Sequence, residues 1–252
     1  PKGISVAKGR SICPACGHAL GAADLVPVAS YLLLGGKCRY CKAPISSRYA
    51  VVELLTALLF GLVYLVLGGG VHAVLVCLLV CVLEVVSFID WDTGEIPDLM
   101  HLIILALALI NMGFVYISGE TFLGFEHPIY SCLLGTAVVS LPMLLIACLT
   151  DGFGGGDIKL MAAAGLFLGI WGILLAFFMG ALLGAVYGIC LMAGKKATGK
   201  SAFAFGPYLC TGIFLSCLFH KEIIEFSYSL DEGSVKALKS KIIEIRYQKN
   251  YI

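Results

Sequence analysis

Two short stretches of the chain gather side chains that can move protons. "FIDWDTGEIPD", residues 88–98, holds Asp90, Asp92, Glu95 and Asp98 within nine positions. "DGFGGGDIKL", residues 151–160, holds Asp151 and Asp157 among four glycines, with Lys159 as the only basic side chain between Arg48 and Lys195. Carboxylates at the ends of apolar helices are costly unless they face water or protein. Asp92, Glu95 and Asp151 read as solvated interfacial groups or helix caps. Asp98 reads as the start of a helix after Pro97. Asp90 and Asp157 carry a sharper expectation. Asp90 closes an apolar run at the membrane surface. Asp157 follows glycines that let backbone approach another group closely, and it leads directly into apolar helix. Two carboxylates held together do not both ionise readily, so one keeps a proton. Such a pair activates water with one member and protonates a leaving amide with the other.

A second constellation is metallic in character. "CPACGH" (13–18) and "CRYC" (38–41) are two Cys-x-x-Cys pairs separated by 21 residues. Four thiolates at this spacing suit a closed, structural, tetrahedral Zn²⁺ site formed by Cys13, Cys16, Cys38 and Cys41. Two disulfides are the competing reading, disfavoured on a reducing cytoplasmic face. His18 would be a fifth ligand and is left out. The segment is too small for a substantial core, so metal would contribute to its folding. The other seven of the 11 cysteines sit in apolar segments and read as small buried hydrophobes.

The elements that must position these groups are membrane helices. The chain has 252 residues, 60% of them hydrophobic and 13% charged, with a mean hydropathy of +0.99. That composition marks an integral membrane protein. Apolar stretches at 49–67, 71–89, 99–117 and 129–149 each approach the ~20 residues that cross a bilayer. Residues 158–193 form a longer apolar run, in which "LGIWG" (168–172) supplies a turn between a short fifth helix and a longer sixth. A seventh lies at 203–219. The expected fold is therefore an all-α polytopic membrane protein of about seven transmembrane helices. It divides into a cytoplasmic zinc lobe (1–48), a membrane-embedded domain (49–219) and a polar tail (220–252). Seven Lys and Arg against one acid in residues 1–48, and Lys195, Lys196 and Lys200 in a later loop, put both regions on the cytoplasmic side. Residues 90–98 and 150–157 then share that face. A seventh crossing places the basic tail outside, against the same rule, unless the fifth or sixth segment is re-entrant.

With these motifs in order, the chain resembles the type IV prepilin peptidase family, the GxGD class of membrane aspartic proteases. The resemblance rests on Ile89 through Asp98, on Gly154-Gly155-Gly156-Asp157-Ile158-Lys159, on the paired cysteines, and on Phe205-Gly206-Pro207-Tyr208. It implies Asp90 and Asp157 as the catalytic pair, with Lys159, Gly154, Gly156 and Asp98 supporting them. It implies prepilin or pseudopilin precursors as partners, cut after the glycine that ends a short basic leader. The enzyme would sit in the bacterial cytoplasmic membrane among its lipids, with the active site facing the cytoplasm. Members usually begin with a further helix, so eight are expected in the intact protein. Many members also methylate the new N-terminus with S-adenosylmethionine, an activity associated with that preceding region.

Other functional classes compete. Glu53 and Glu84, inside apolar helices, could join Asp90 and Asp157 in an ion path, making the chain an ion-coupled transporter. A polar partner on another element would make the two glutamates structural instead. His72, His101 and His127 read as ordinary interface residues. Lys159 either favours an ionised carboxylate nearby or snorkels to the interface. No basic patch alternates with exposed aromatics, so nucleic acid is not an expected partner.

Overall fold

The computed structural model of the chain describes residues 10–118, 128–150, 152–194 and 204–219. Asp151, His127, the three lysines of the 195–200 loop and the tail 220–252 lie outside the described residues. The chain forms two compact units, Pro1–Leu65 and Val66–Ile252.

The first unit opens with two hairpin-like knuckles built to one plan. In each, the first cysteine's carbonyl accepts from the amide four residues on (Gly17 to Cys13, 2.8 Å; Lys42 to Cys38, 3.0 Å). Its own amide donates to the carbonyl five residues on (His18 and Ala43, both 2.9 Å). Isolated bridges Ile12–Ala19 and Lys37–Pro44 close the two turns at matching offsets. The residue after each second cysteine takes a left-handed conformation, Gly17 at φ 72° and Lys42 at φ 59°. A 3₁₀ turn (Ala22–Asp24), helix α1 (Ala29–Leu33) and helix α2 (Ser47–Leu67) complete the unit. Asp24 ties it together: its carboxylate accepts from the Arg39 guanidinium, the Tyr40 hydroxyl and the Gly21 amide. Glu53 accepts from the Val28 amide at 2.8 Å, so this acid inside the first apolar helix has a structural partner.

The second unit is a helical bundle. Its helices are α3 (Val71–Thr93), α4 (Asp98–Ser118), α5 (Pro128–Val138), α6 (Ser140–Thr150), α7 (Gly155–Ala193) and α8 (Gly206–Phe219). Helix α7 packs against α4, α5 and α6, and α3 packs against α4. Close backbone approach sets the α5–α7 seam. A methyl group on either Gly135 or Gly165 would run into the other helix's backbone. Small residues at such seams let membrane helices gain dispersion contacts where the hydrophobic effect supplies no drive.

Among the described residues, five helices are long and apolar enough to span a bilayer, counting α5 and α6 as one span and α7 as one. The seven apolar stretches of the sequence map onto these plus the shorter α8. The expected fourth span is broken near Val139. Pro142 has no N–H for the carbonyl of Val138, and its ring crowds that carbonyl. The expected turn inside the 158–193 run is present at Gly169, whose φ of 72° and ψ of −176° divide α7. The freed amide of Ile170 is met by the Ser131 hydroxyl at 3.1 Å, a cap supplied by a neighbouring helix.

Candidate active site and metal centre

Four helix termini meet at one end of the second unit. Asp90 lies in the last turn of α3 and is 5% exposed. Its Oδ2 accepts the amide of Gly206, the first residue of α8, at 2.9 Å. That amide is one of the donors a helix N-terminus leaves unpaired, so α8 presents a ready partner for a carboxylate. A Cβ at position 206 would stand 2.7 Å from Asp90 Oδ2, which explains the glycine.

Asp157 lies in the first turn of α7, three residues after its N-cap Gly154, and is 9% exposed. Its carboxylate accepts the Gly154 amide, so the helix start is closed by its own acid. Asp90 lies close enough to act on Asp157 by its charge, and both act on Cys210. The sequence-expected pair is thus brought together from positions 67 residues apart along the chain. Gly156 serves packing: a Cβ there would press on Ile96 Cβ at 3.1 Å, in the segment joining α3 to α4.

The expected supporting residues gather beside the pair. Lys159 donates to Asp98 Oδ1 at 2.6 Å, joining the first turns of α7 and α4. Both groups are largely exposed, so the pair contributes little stability of its own. Asp92 and Glu95 are exposed, in keeping with solvated interfacial acids. Aromatic rings frame the acids. Phe153, four residues before Asp157, lies 5.9 Å from the ring of Phe205. Trp91 lies 6.3 Å from Tyr187, which lies 5.3 Å from Tyr208.

Three residues here carry more than the sequence suggests. Gly206 sits in a recognisable motif, yet its donor role appears only when α8 folds back onto α3. Cys210 reads as a small apolar filler but lies near enough to both acids to feel their charge, and it is hydrogen-bonded to Ser87. His101 reads as an ordinary interface residue. It is instead 7% exposed, with Nε2 3.0 Å from the carbonyl oxygen of Gly156. Its spacing of three from Asp98, which puts both on one helix face, is the available sequence signal.

In the first unit the Sγ atoms of Cys13, Cys16, Cys38 and Cys41 all lie within 4.8 Å of one another. Cys13 and Cys41 are 3.8 Å apart. Tetrahedral zinc–thiolate bonds of ~2.3 Å place the sulfurs about 3.8 Å apart, whereas a disulfide would need ~2 Å. The cluster is therefore compatible with zinc. The Cys16 and Ala15 amides point at Cys13 and bring its thiol down to about 7, which favours the ligating thiolate. At Cys41 the Ala43 amide acts in the same direction. Desolvation and the neighbouring thiols outweigh it and push that group up to about 11. A bound cation would reverse this crowding. His18 stacks on Tyr40, ring centroids 3.6 Å apart, rather than entering the ligand set.

Comparisons with known proteins identify the family. The Bacterial Peptidase A24 N-terminal domain matches residues 1–67, and the Type IV leader peptidase family matches residues 77–189. A short match to a YmtS Rossmann-like domain covers 214–249, mostly outside the described residues. The chain is 36% identical to the prepilin leader peptidase/N-methyltransferase of Aeromonas hydrophila, over 85% of this chain and 73% of that protein. It is 37% identical to the protein of that name from Neisseria gonorrhoeae, over 82% and 70%. It is 30% identical to the one from Bacillus subtilis (strain 168), over 92% and 91%. No solved structure matches the chain. Two family domains in order, and relatives that align over most of both chains, make this protein a member of the type IV leader peptidase family.

Proposed function

We propose that this chain is a membrane aspartic endopeptidase that removes the short basic leader of prepilin-like precursors, with Asp90 and Asp157 as its catalytic dyad. The observation that carries this reading is the meeting of two buried carboxylates at four helix ends. One carboxylate takes a proton from water as the oxygen attacks the scissile carbonyl carbon. The other, protonated, gives its proton to the carbonyl oxygen. The tetrahedral intermediate then collapses with cleavage of the C–N bond: the proton held by the first acid passes to the leaving amine, and one hydroxyl proton of the intermediate returns to the second acid as the carbonyl reforms. The Gly206 amide fixes Asp90 throughout, and the Gly154 amide fixes Asp157. Supporting roles fall to Gly154, Gly156, Asp98 and Lys159, which hold the start of α7 against α4.

The dyad would face the cytoplasm, where the basic leader of a precursor remains while its apolar helix lies in the bilayer. Cys13, Cys16, Cys38 and Cys41 would hold one structural Zn²⁺, with a role separable from peptide-bond chemistry. The relatives' names include N-methyltransferase, and S-adenosylmethionine would be the methyl donor if this chain shares that activity. Incubating the purified full-length chain in detergent with a precursor bearing a basic leader that ends in glycine tests the reading. Intact-mass analysis should show the precursor shortened at that glycine, and the same spectrum reads any added methyl group. A transporter would leave the precursor intact, a reading the family membership does not favour.

A further inference from the structure

We infer that His101 is a positioning residue for Asp157, gripping the backbone of α7 immediately before the acid. The inference rests on the assignment of Asp157 to the dyad. A carbonyl oxygen can only accept, so His101 must carry its proton on Nε2 and donate it to Gly156 at 3.0 Å. The contact joins residues 55 apart in sequence, and it engages the peptide unit between Gly156 and Asp157. On the same face of α4, one turn earlier, Asp98 takes the ammonium of Lys159. The first turn of α4 therefore grips the first turn of α7 at positions 156 and 159, on either side of Asp157.

The two grips differ in kind. Lys159 and Asp98 are exposed and compete with water. The His101 ring is buried and its bond is part-buried, so it competes with water less than the exposed pair does. The Gly156 carbonyl already takes an amide of its own helix, so the His101 bond is a second, interhelix one, and its loss would free the start of α7 to shift against α4. Nothing within α7 can replace the tether, because a helix's own amides hold the carbonyl within α7 and not to α4. The orientation of the Asp157 carboxyl relative to Asp90 depends on where this first turn sits. Displacement of a reacting group by ~1 Å costs on the order of 100-fold in rate. The ring's other nitrogen, Nδ1, is buried 3.7 Å from Asp98 Oδ1 without a hydrogen bond, so Nε2 alone holds the backbone.

The test compares His101→Leu, His101→Gln and His101→Asn with the parent and with Asp157→Asn, in the full chain in detergent, on a precursor with a basic leader ending in glycine. Leu fills the space without a donor. The Gln amide extends about as far as Nε2, whereas the shorter Asn amide does not. His101→Leu should lower kcat by about 10- to 100-fold with KM changed less than about threefold. His101→Gln should recover to within about tenfold of the parent, and His101→Asn should stay near the Leu level. A residue that only filled space would show no such split between Gln and Asn. Parental kcat in His101→Leu, or equal rates for Gln and Asn, overturns the inference. If His101→Leu does not fold, the Gln and Asn pair decides alone. An active Asp157→Asn would instead overturn the dyad assignment, so the two failures are distinguishable.

Discussion

Gly206 is where a single hydrogen atom decides the site. Its amide reaches Asp90 at 2.9 Å, and a Cβ would stand 2.7 Å from the same oxygen. Gly206→Ala must push either the acid or α8 aside, so cleavage should fall by about 10- to 100-fold while the protein remains folded. Initial rates on a precursor check this. In the unit that carries the four-cysteine cluster, Asp24 is the corresponding residue. The Arg39 guanidinium and the Gly21 amide hold its carboxyl below the usual range. A depressed folded value means its contribution is complete above the unfolded value of ~3.9 and is lost only as pH falls through the folded one. Asp24→Asn should therefore speed zinc release to a chelator by the same factor at about pH 6 and about pH 8. A factor that shrank between those values would contradict the ion-pair account. The sequence offers the two acids as candidates from their places at apolar helix ends and from the family resemblance, and the four cysteines from their spacing. Gly206 and His101 were not legible as site residues, because each acts on a partner 116 or 55 positions away through a contact only the folded bundle makes.

Among the elements, α7 shows what hydropathy reads well and what it does not. Its apolar run announces a membrane segment, and the Gly-Ile-Trp-Gly cluster announces a break inside it. The break is at Gly169, but the amide it frees is capped by Ser131 of α5, which no local pattern could disclose. The division between α5 and α6 was likewise missed, since an apolar window averages over Pro142. The α5–α7 seam depends on Gly135 and Gly165 facing one another without side chains. Gly165→Ala inserts a methyl group into opposing backbone, where overpacking costs about 1–3 kcal/mol. Thermal unfolding in detergent should show the loss. Gly113→Ala is the control, because a Cβ there meets nothing within 4 Å.

For the whole molecule, the positive-inside pattern and the gathering of Asp90, Asp98, Asp157 and Gly206 at one end of the bundle lead to one topology. Cysteines placed at 94 and 154 should react with a membrane-impermeant thiol reagent only after the cytoplasmic side is opened. Labelling from outside intact cells would reverse the orientation. The central claim is that Asp90 and Asp157 act as one unit. Either carboxylate replaced by an amide keeps its shape but loses the proton exchange that hydrolysis needs. The most direct measurement is the precursor cleavage rate, by intact mass, for the parent, Asp90→Asn, Asp157→Asn and the double variant, each with its zinc content checked. The account predicts that each single variant loses cleavage, stays zinc-loaded, and is hardly better than the double. Parental cleavage by either single variant would contradict it.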